Sequence, residues 1–130
     1  MNTRIVIRSF APTDREYEGL AAVYRAQVAE ELLSNYEFRT GAEFRASDEF
    51  FHATDCAFRR YVAEDVGAGR LVGYVQFYHA PGDLEPRHFH GVIRVHPGYR
   101  EHGIGQRLYA QMMADLNWLD VVTQIGRAHV

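Results

Sequence analysis

The chain contains no lysine; all 14 of its basic residues are arginine, set against 17 acidic residues for a formal charge of -3. A chain without net positive charge offers no broad electrostatic footprint for a phosphate backbone, which argues against nucleic acid as a partner. The missing lysines also exclude a Gly-Lys-Ser/Thr phosphate loop, and together with the arginine bias they fit a bacterial gene of high GC content. Cysteine is almost as scarce. Cys56 stands alone, so no intramolecular disulfide can form, and its surroundings, "HATDCAFRRY", carry no sign of an activated nucleophile; a buried, inert thiol is expected. Long apolar runs are lacking too: none approaches the ~20 residues that span a bilayer, and the charged start, "MNTRIVIRSFAPTD", is unlike a signal peptide. A cytoplasmic protein without a membrane partner is therefore expected.

What is present fits one globular domain, with 130 residues, 47% of them hydrophobic and 24% charged. "RIVIRSF" is β-branched and predicts a strand over Arg4–Phe10, ended by the Ala11-Pro12 step. Thr13 and Glu16 have capping-box spacing, and Tyr17, Leu20, Ala21, Tyr24 and Val28 recur at helical intervals, which predicts a helix over Asp14–Leu33. Thr40 and Glu43 repeat that spacing before Phe44, Phe50 and Phe51, the mark of a second, shorter helix. The period then changes. "FRRYVAED" and "RLVGYVQFYHA" are β-rich runs joined across "VGAG", and "RHFHGVIRV" is a third, so an antiparallel meander is expected. A last helix starts near Gly105 with an apolar stripe of Ile104, Leu108, Met112 and Leu116, broadened by Tyr109 and Met113. "LDVVTQ" reads as one more strand. The order βααβββαβ predicts an α/β (α+β) fold with a mixed, mostly antiparallel sheet flanked by helices.

The segment "VIRVHPGYREHGIGQRLYAQMM", Val92 to Met113, places Gly103 and Gly105 at the start of that last helix. A helix N-terminus leaves its first N–H groups unpaired, and glycine removes the Cβ atoms that would keep an anion from the backbone. The dinucleotide fingerprint does not apply: its third glycine would fall at Leu108, and several residues separate the strand end at Val95 from Gly103. What remains is Arg-x-x-Gly-x-Gly, from Arg100 to Gly105, within V-x-P-x-x-R-x-x-G-I-G-x-x-L, from Val95 to Leu108. This pattern resembles the acyl-CoA loop of the GNAT superfamily of N-acetyltransferases, and the element order from Arg4 to Leu116 is similar to the first two-thirds of that fold.

The resemblance implies acetyl-CoA as co-substrate. It implies that the pantetheine arm pairs, like an added strand, with the backbone of Ile93, Arg94 and Val95. The pyrophosphate would rest on the amides of Glu101, His102, Gly103, Ile104, Gly105 and Gln106, with Arg100 as the basic position and Arg107 as a second phosphate contact. The reaction it implies is transfer of an acetyl group to a primary amine by direct attack, with a small-molecule or peptide amine as acceptor. The amine must be neutral. An alkyl ammonium of pKa ~10.4 lies about three units from neutrality at pH 7, a cost of about 4–5 kcal/mol, so a base is required.

His90 is the candidate base. His88 and His90 share a strand face with Val92 and Arg94, whereas relatives carry the base at positions matching Phe89 or Gly91, so this role requires a β-bulge near Gly91; the competing reading is an exposed strand histidine. His79 and Glu64 rank lower. His88-x-His90 has no third partner in matching context, and no metal site is expected. Tyr36 and Phe38 fit either an acceptor pocket or simple packing. The family domain normally continues past this point and supplies a tyrosine acid for the leaving thiolate. The last six residues, "IGRAHV", correspond to a common sequencing-adapter reading frame, so the native domain is expected to be 1–124, incomplete at its C-terminal end, with 125–130 a read-through tail. The front part also looks like the first module of tandem GNAT proteins, and an open sheet edge would favour a homodimer. The competing functional readings are a non-catalytic acyl-CoA-binding or sensing domain and a site for an adenine nucleotide or other phosphate ligand.

Overall fold

In the computed structural model, which describes residues 4–31, 39–54, 57–79, 84, 88–119 and 122–128, each run of apolar residues has become the element its period predicts. The elements are β1 (Ile5–Ser9), α1 (Asp14–Glu31), α2 (Gly41–Ala53), β2 (Phe58–Asp65), β3 (Arg70–Tyr78), β4 (His88–Val95), a single 3-10 turn (Pro97–Tyr99), α3 (Ile104–Leu119) and β5 (Val122–Ala128). They form one five-stranded sheet in the order β1-β2-β3-β4-β5. The first four strands pair antiparallel, and β5 runs parallel to β4. No helix among the described residues is long and apolar enough to cross a membrane. Cys56, Tyr36 and Phe38 lie outside the described residues.

Strand alternation divides the sheet into two buried faces. On one, Val62, Leu71 and Tyr74 meet Tyr17, Leu20 and Val23 of α1 and Phe44 of α2. On the other, Val75, Phe77 and Ile93 meet Ile104, Leu108, Met112 and Leu116 of α3, none of which is more than 1% exposed. Each such side chain contributes roughly 1.5–3 kcal/mol on burial, so the stripe fixes which way α3 faces. Tyr109 does not widen the stripe as expected; it is 39% exposed, while Met113 does pack against the cluster. Gly91 lets α3 close on β4, since a Cβ there would stand 3.1 Å from the Met112 sulfur.

The two capping boxes fare differently. Thr40 and Glu43 make the full reciprocal pair at the start of α2. At α1 only half forms: the Thr13 hydroxyl accepts from the Glu16 amide at 3.2 Å, but the Glu16 carboxylate turns to Arg8 of β1 at 2.8 Å. The guanidinium offers a charge-assisted, two-pronged bond that a backbone N–H cannot match. The partner Arg8 holds the Glu16 carboxyl below its ordinary range.

A buried cation missed in the sequence ties α2 to the sheet. Arg60 of β2, its side chain 2% exposed, donates to both carboxylate oxygens of Asp48 at 2.8 and 3.1 Å. It also donates to Gln76 Oε1 and lies 4.7 Å from the ring centre of Phe10 and 5.0 Å from that of Phe58.

Candidate functional site

The site is built where β4 ends. His96 continues the ladder by donating its amide to Val72 O at 2.8 Å, and Pro97 then opens a turn whose fixed φ suits a first helical position. The His96 Nδ1 accepts from the Gly98 amide at 3.0 Å, closing the turn locally. Two residues then enter the left-handed region, Glu101 and Gly103, both at φ 70°. α3 begins immediately afterwards, and its first bond to the loop runs from the Arg107 amide to Gly103 O at 3.1 Å.

This path leaves a row of amides without partners. Among the described residues, none of the amides from Glu101 to Gln106 donates a hydrogen bond within the protein. Left-handed steps followed by a helix start are the elements of a backbone anion nest, and the partial positive charge of α3 adds to them in the space beside the loop. That space is a cavity of about 560 Å³ lined by Val95, Tyr99, Arg100, Glu101, Gly103, Ile104, Gly105 and Gln106. A Cβ on Gly103 would meet no protein atom within 4 Å, so the space above it is open, while the φ of 70° itself favours glycine there. The backbone thus fits a diphosphate.

The cavity therefore unites most of the expected loop residues with the end of β4. His102 is exposed beside it, 5.9 Å from the Tyr99 ring. Ile93 is fully buried beneath α3, and the Arg94 side chain leaves on the opposite face, donating to Gln27 Oε1 at 2.8 Å and lying 4.8 Å from the Tyr24 ring centre. For the strand edge, β5 is decisive: it runs beside β4 to the pair Ile93↔Ala128. Arg94 and Val95 lie past that last pair. Arg107 is turned elsewhere, its guanidinium donating to Ile5 O of β1 at 3.2 Å.

His90 keeps the parity of a regular strand. The β3–β4 register is unbroken from Gly73↔Val95 to Tyr78↔His90, and Gly91 faces α3, so no bulge on that side turns the imidazole over. Among the described residues, the irregularity in β4 pairing lies between Gly91 and Ile93 on the β5 side. His90 is half-buried, with its ring 4.9 Å from that of His88 and 5.7 Å from that of Tyr78. Phe51 and Phe58 extend this row past Tyr78. Of the lower-ranked candidates, Glu64 is held by Arg8 at 3.0 Å, and His79 sits at the end of β3 against Phe89.

Tyr99, which sequence reading passed over, is a wall of the cavity. The available hint was its position between Pro97 and Arg100 in a turn otherwise made of small and polar residues.

Known proteins share this fold. The acetyltransferase (GNAT) family model matches residues 22–120. An N-acetyltransferase from Staphylococcus aureus Mu50 is similar with a TM-score of 0.71 at 18% identity, over 95% of this chain and 73% of that one. A GNAT family acetyltransferase from Brucella melitensis in complex with acetyl-CoA gives 0.67 at 21% identity, over 97% and 78%. The PaiA N-acetyltransferase from Thermoplasma acidophilum in complex with coenzyme A gives 0.68 at 15% identity, over 94% and 78%. No curated protein matches the chain in sequence.

Proposed function

Because this chain belongs to the acetyltransferase (GNAT) family, an acetyl-CoA-dependent enzyme family, we propose that it moves the acetyl group of acetyl-CoA onto a primary amine by direct attack. The observation that carries this reading is the row of unpartnered amides from Glu101 to Gln106 around one cavity at the end of β4. These amides, with Arg100, hold the pyrophosphate. The pantetheine arm leaves along the β4 edge at Arg94 and Val95, and at Ile93 it takes the place that Ala128 holds in this chain.

The chemistry then needs a neutral amine beside the thioester. The amine nitrogen attacks the carbonyl carbon, the C–N bond forms, the C–S bond breaks, and coenzyme A leaves as a thiolate that takes up a proton. With no bulge to turn it over, His90 stays on the α1–α2 face, and it is proposed to accept the amine proton there, from an acceptor approaching on that same face and through one water where the imidazole does not reach it. The acceptor enters on the α1–α2 face of the sheet, where His88, His90 and Tyr78 stand in line. The proposed compartment is the cytoplasm, with a small-molecule or peptide amine as acceptor.

Release of free coenzyme A thiol, followed across a panel of primary amines, tests the reading. Turnover with His90→Gln lowered about 10²–10³-fold, with the KM for acetyl-CoA unchanged, supports the assigned base. Binding of coenzyme A without turnover by any amine makes the protein a binding or sensing domain instead.

A further inference from the structure

The cradle has a support that lies far from it in sequence. The Tyr99 hydroxyl donates to Asp65 Oδ2 at 2.6 Å, and Arg70 donates to the same hydroxyl at 3.3 Å. The Arg70 guanidinium also lies 5.1 Å from the centre of the Tyr99 ring. Asp65 and Arg70 are the last residue of β2 and the first of β3, so they face each other across the hairpin turn. That turn is itself closed by Asp65, which accepts from the Ala68 amide at 3.3 Å and from the Gly69 amide through its carbonyl at 2.8 Å. Tyr99 is thus fixed by its hydroxyl and by one ring face, while His96 and His102 stand 5.8 and 5.9 Å from its ring.

The residues just after Tyr99 need such an anchor. Glu101 occupies the left-handed region, where a residue with a Cβ is disfavoured and persists only when its surroundings over-determine it. The cradle amides supply no internal hydrogen bonds to hold the shape. The restraint has to come from the flanks, α3 on one side and Tyr99 on the other.

Resting on the acetyl-CoA reading above, we infer that Asp65, Arg70 and Tyr99 form a clamp that pre-organises the diphosphate cradle, making the β2–β3 hairpin a determinant of cofactor affinity. These are positioning residues. They hold the loop rather than touch the reacting atoms, so their loss lowers affinity for the diphosphate part of the cofactor and leaves the transfer step alone.

Calorimetry with coenzyme A, ADP and pantetheine as separate probes, on the full chain, tests this. Tyr99→Phe and Asp65→Ala are expected to weaken coenzyme A and ADP by about tenfold each while pantetheine is unchanged. In steady state the KM for acetyl-CoA rises by the same factor, with kcat and the acceptor KM constant. The strain at Glu101 also predicts a coupling: in a Glu101→Gly background, where the left-handed turn needs no restraint, the Tyr99→Phe penalty shrinks at least threefold. Arg70→Met, at an exposed position, provides a variant that leaves both cores intact. Wild-type affinity for ADP in all three single variants overturns the clamp, as does an equal loss for ADP and pantetheine. Failure of the wild-type protein to bind coenzyme A at all overturns the acetyl-CoA reading and the clamp with it.

Discussion

Glu101 is the residue at which the loop departs most from what its side chain prefers, and it also sets a carboxylate at the rim of the cavity proposed to take the diphosphate. Replacement by glycine removes a left-handed penalty of roughly 1–2 kcal/mol and adds back about 0.5–1 kcal/mol of unfolded-chain entropy. Glu101→Gly is therefore expected to be about 0.5–1 kcal/mol more stable in urea titration and to bind coenzyme A about two- to fivefold more tightly. Unchanged affinity would remove the like-charge argument. Gly103 presents the opposite case: at φ 70° with open space above it, alanine costs about 1–2 kcal/mol of stability and puts a methyl group into the cradle. Gly103→Ala should lose coenzyme A affinity by more than tenfold, far beyond its shift in melting temperature. While Arg100 was named through the resemblance of the loop alone, the left-handed step at Gly103 was legible because backbone geometry restricts which residues can stand there. Tyr99, Asp65 and Arg70 were not, because their role depends on a hydroxyl meeting a carboxylate across 34 positions of chain, and no local period records such a meeting.

Elements were more legible than sites, for a physical reason: each is specified by a repeating apolar pattern that must match a face. β2 was expected and found over Phe58–Asp65, and α1 and α3 begin within one residue of their expected starts. The ends were harder, as with β5, which runs on to Ala128 because parallel pairing beside β4 continues where the apolar pattern stops. The attachment of α2 was not legible either. Apart from Phe44, the apolar side of α2 is poorly buried, with Phe50 56% exposed, so the Arg60–Asp48 pair carries much of its docking. Removing one partner of a buried pair leaves an uncompensated charge and typically costs about 3–5 kcal/mol. Asp48 is partly open to solvent, which places Asp48→Ala near the lower end, about 3 kcal/mol, or a melting temperature lower by roughly 10 °C. Arg60→Met with Asp48→Leu should recover most of that loss. A double variant as unstable as the single one would mean that the pair itself, and not the stranded guanidinium, supplies the stability.

At the scale of the whole molecule, the same small device occurs three times among the described residues. A tyrosine hydroxyl donates to an aspartate that joins two elements, with an arginine beside them: Tyr17 to Asp48 at 2.7 Å with Arg60, Tyr61 to Asp115 at 2.6 Å with Arg59, and Tyr99 to Asp65 at 2.6 Å with Arg70. The first fastens α1 and α2 to each other, the second fastens α3 to β2, and the third fastens the cradle to the hairpin. A hydroxyl can donate only while protonated, so the fastenings at Tyr17 and Tyr61 share a sensitivity to alkali. Burial first, and the Asp48 carboxylate second, push the Tyr17 phenol up to about 12 from an ordinary value of 10.0. The hydrogen bond to Asp115 and then burial raise Tyr61 as well. Between pH 10 and the folded values the unfolded chain has lost these protons and the folded chain has kept them. The stability they contribute is therefore complete below pH 10 and declines as pH rises through the folded values. The arginines keep their charge across that window, so the loss belongs to the phenols. Urea midpoints measured at pH 8, 10 and 11.5 should fall with pH in the wild-type protein. The fall should be shallower in Tyr17→Phe with Tyr61→Phe, which starts weaker at pH 8 but has no proton to lose at either position. Parallel slopes for the two proteins would show that the alkaline loss arises elsewhere and that these hydroxyls do not fasten the helices to the sheet.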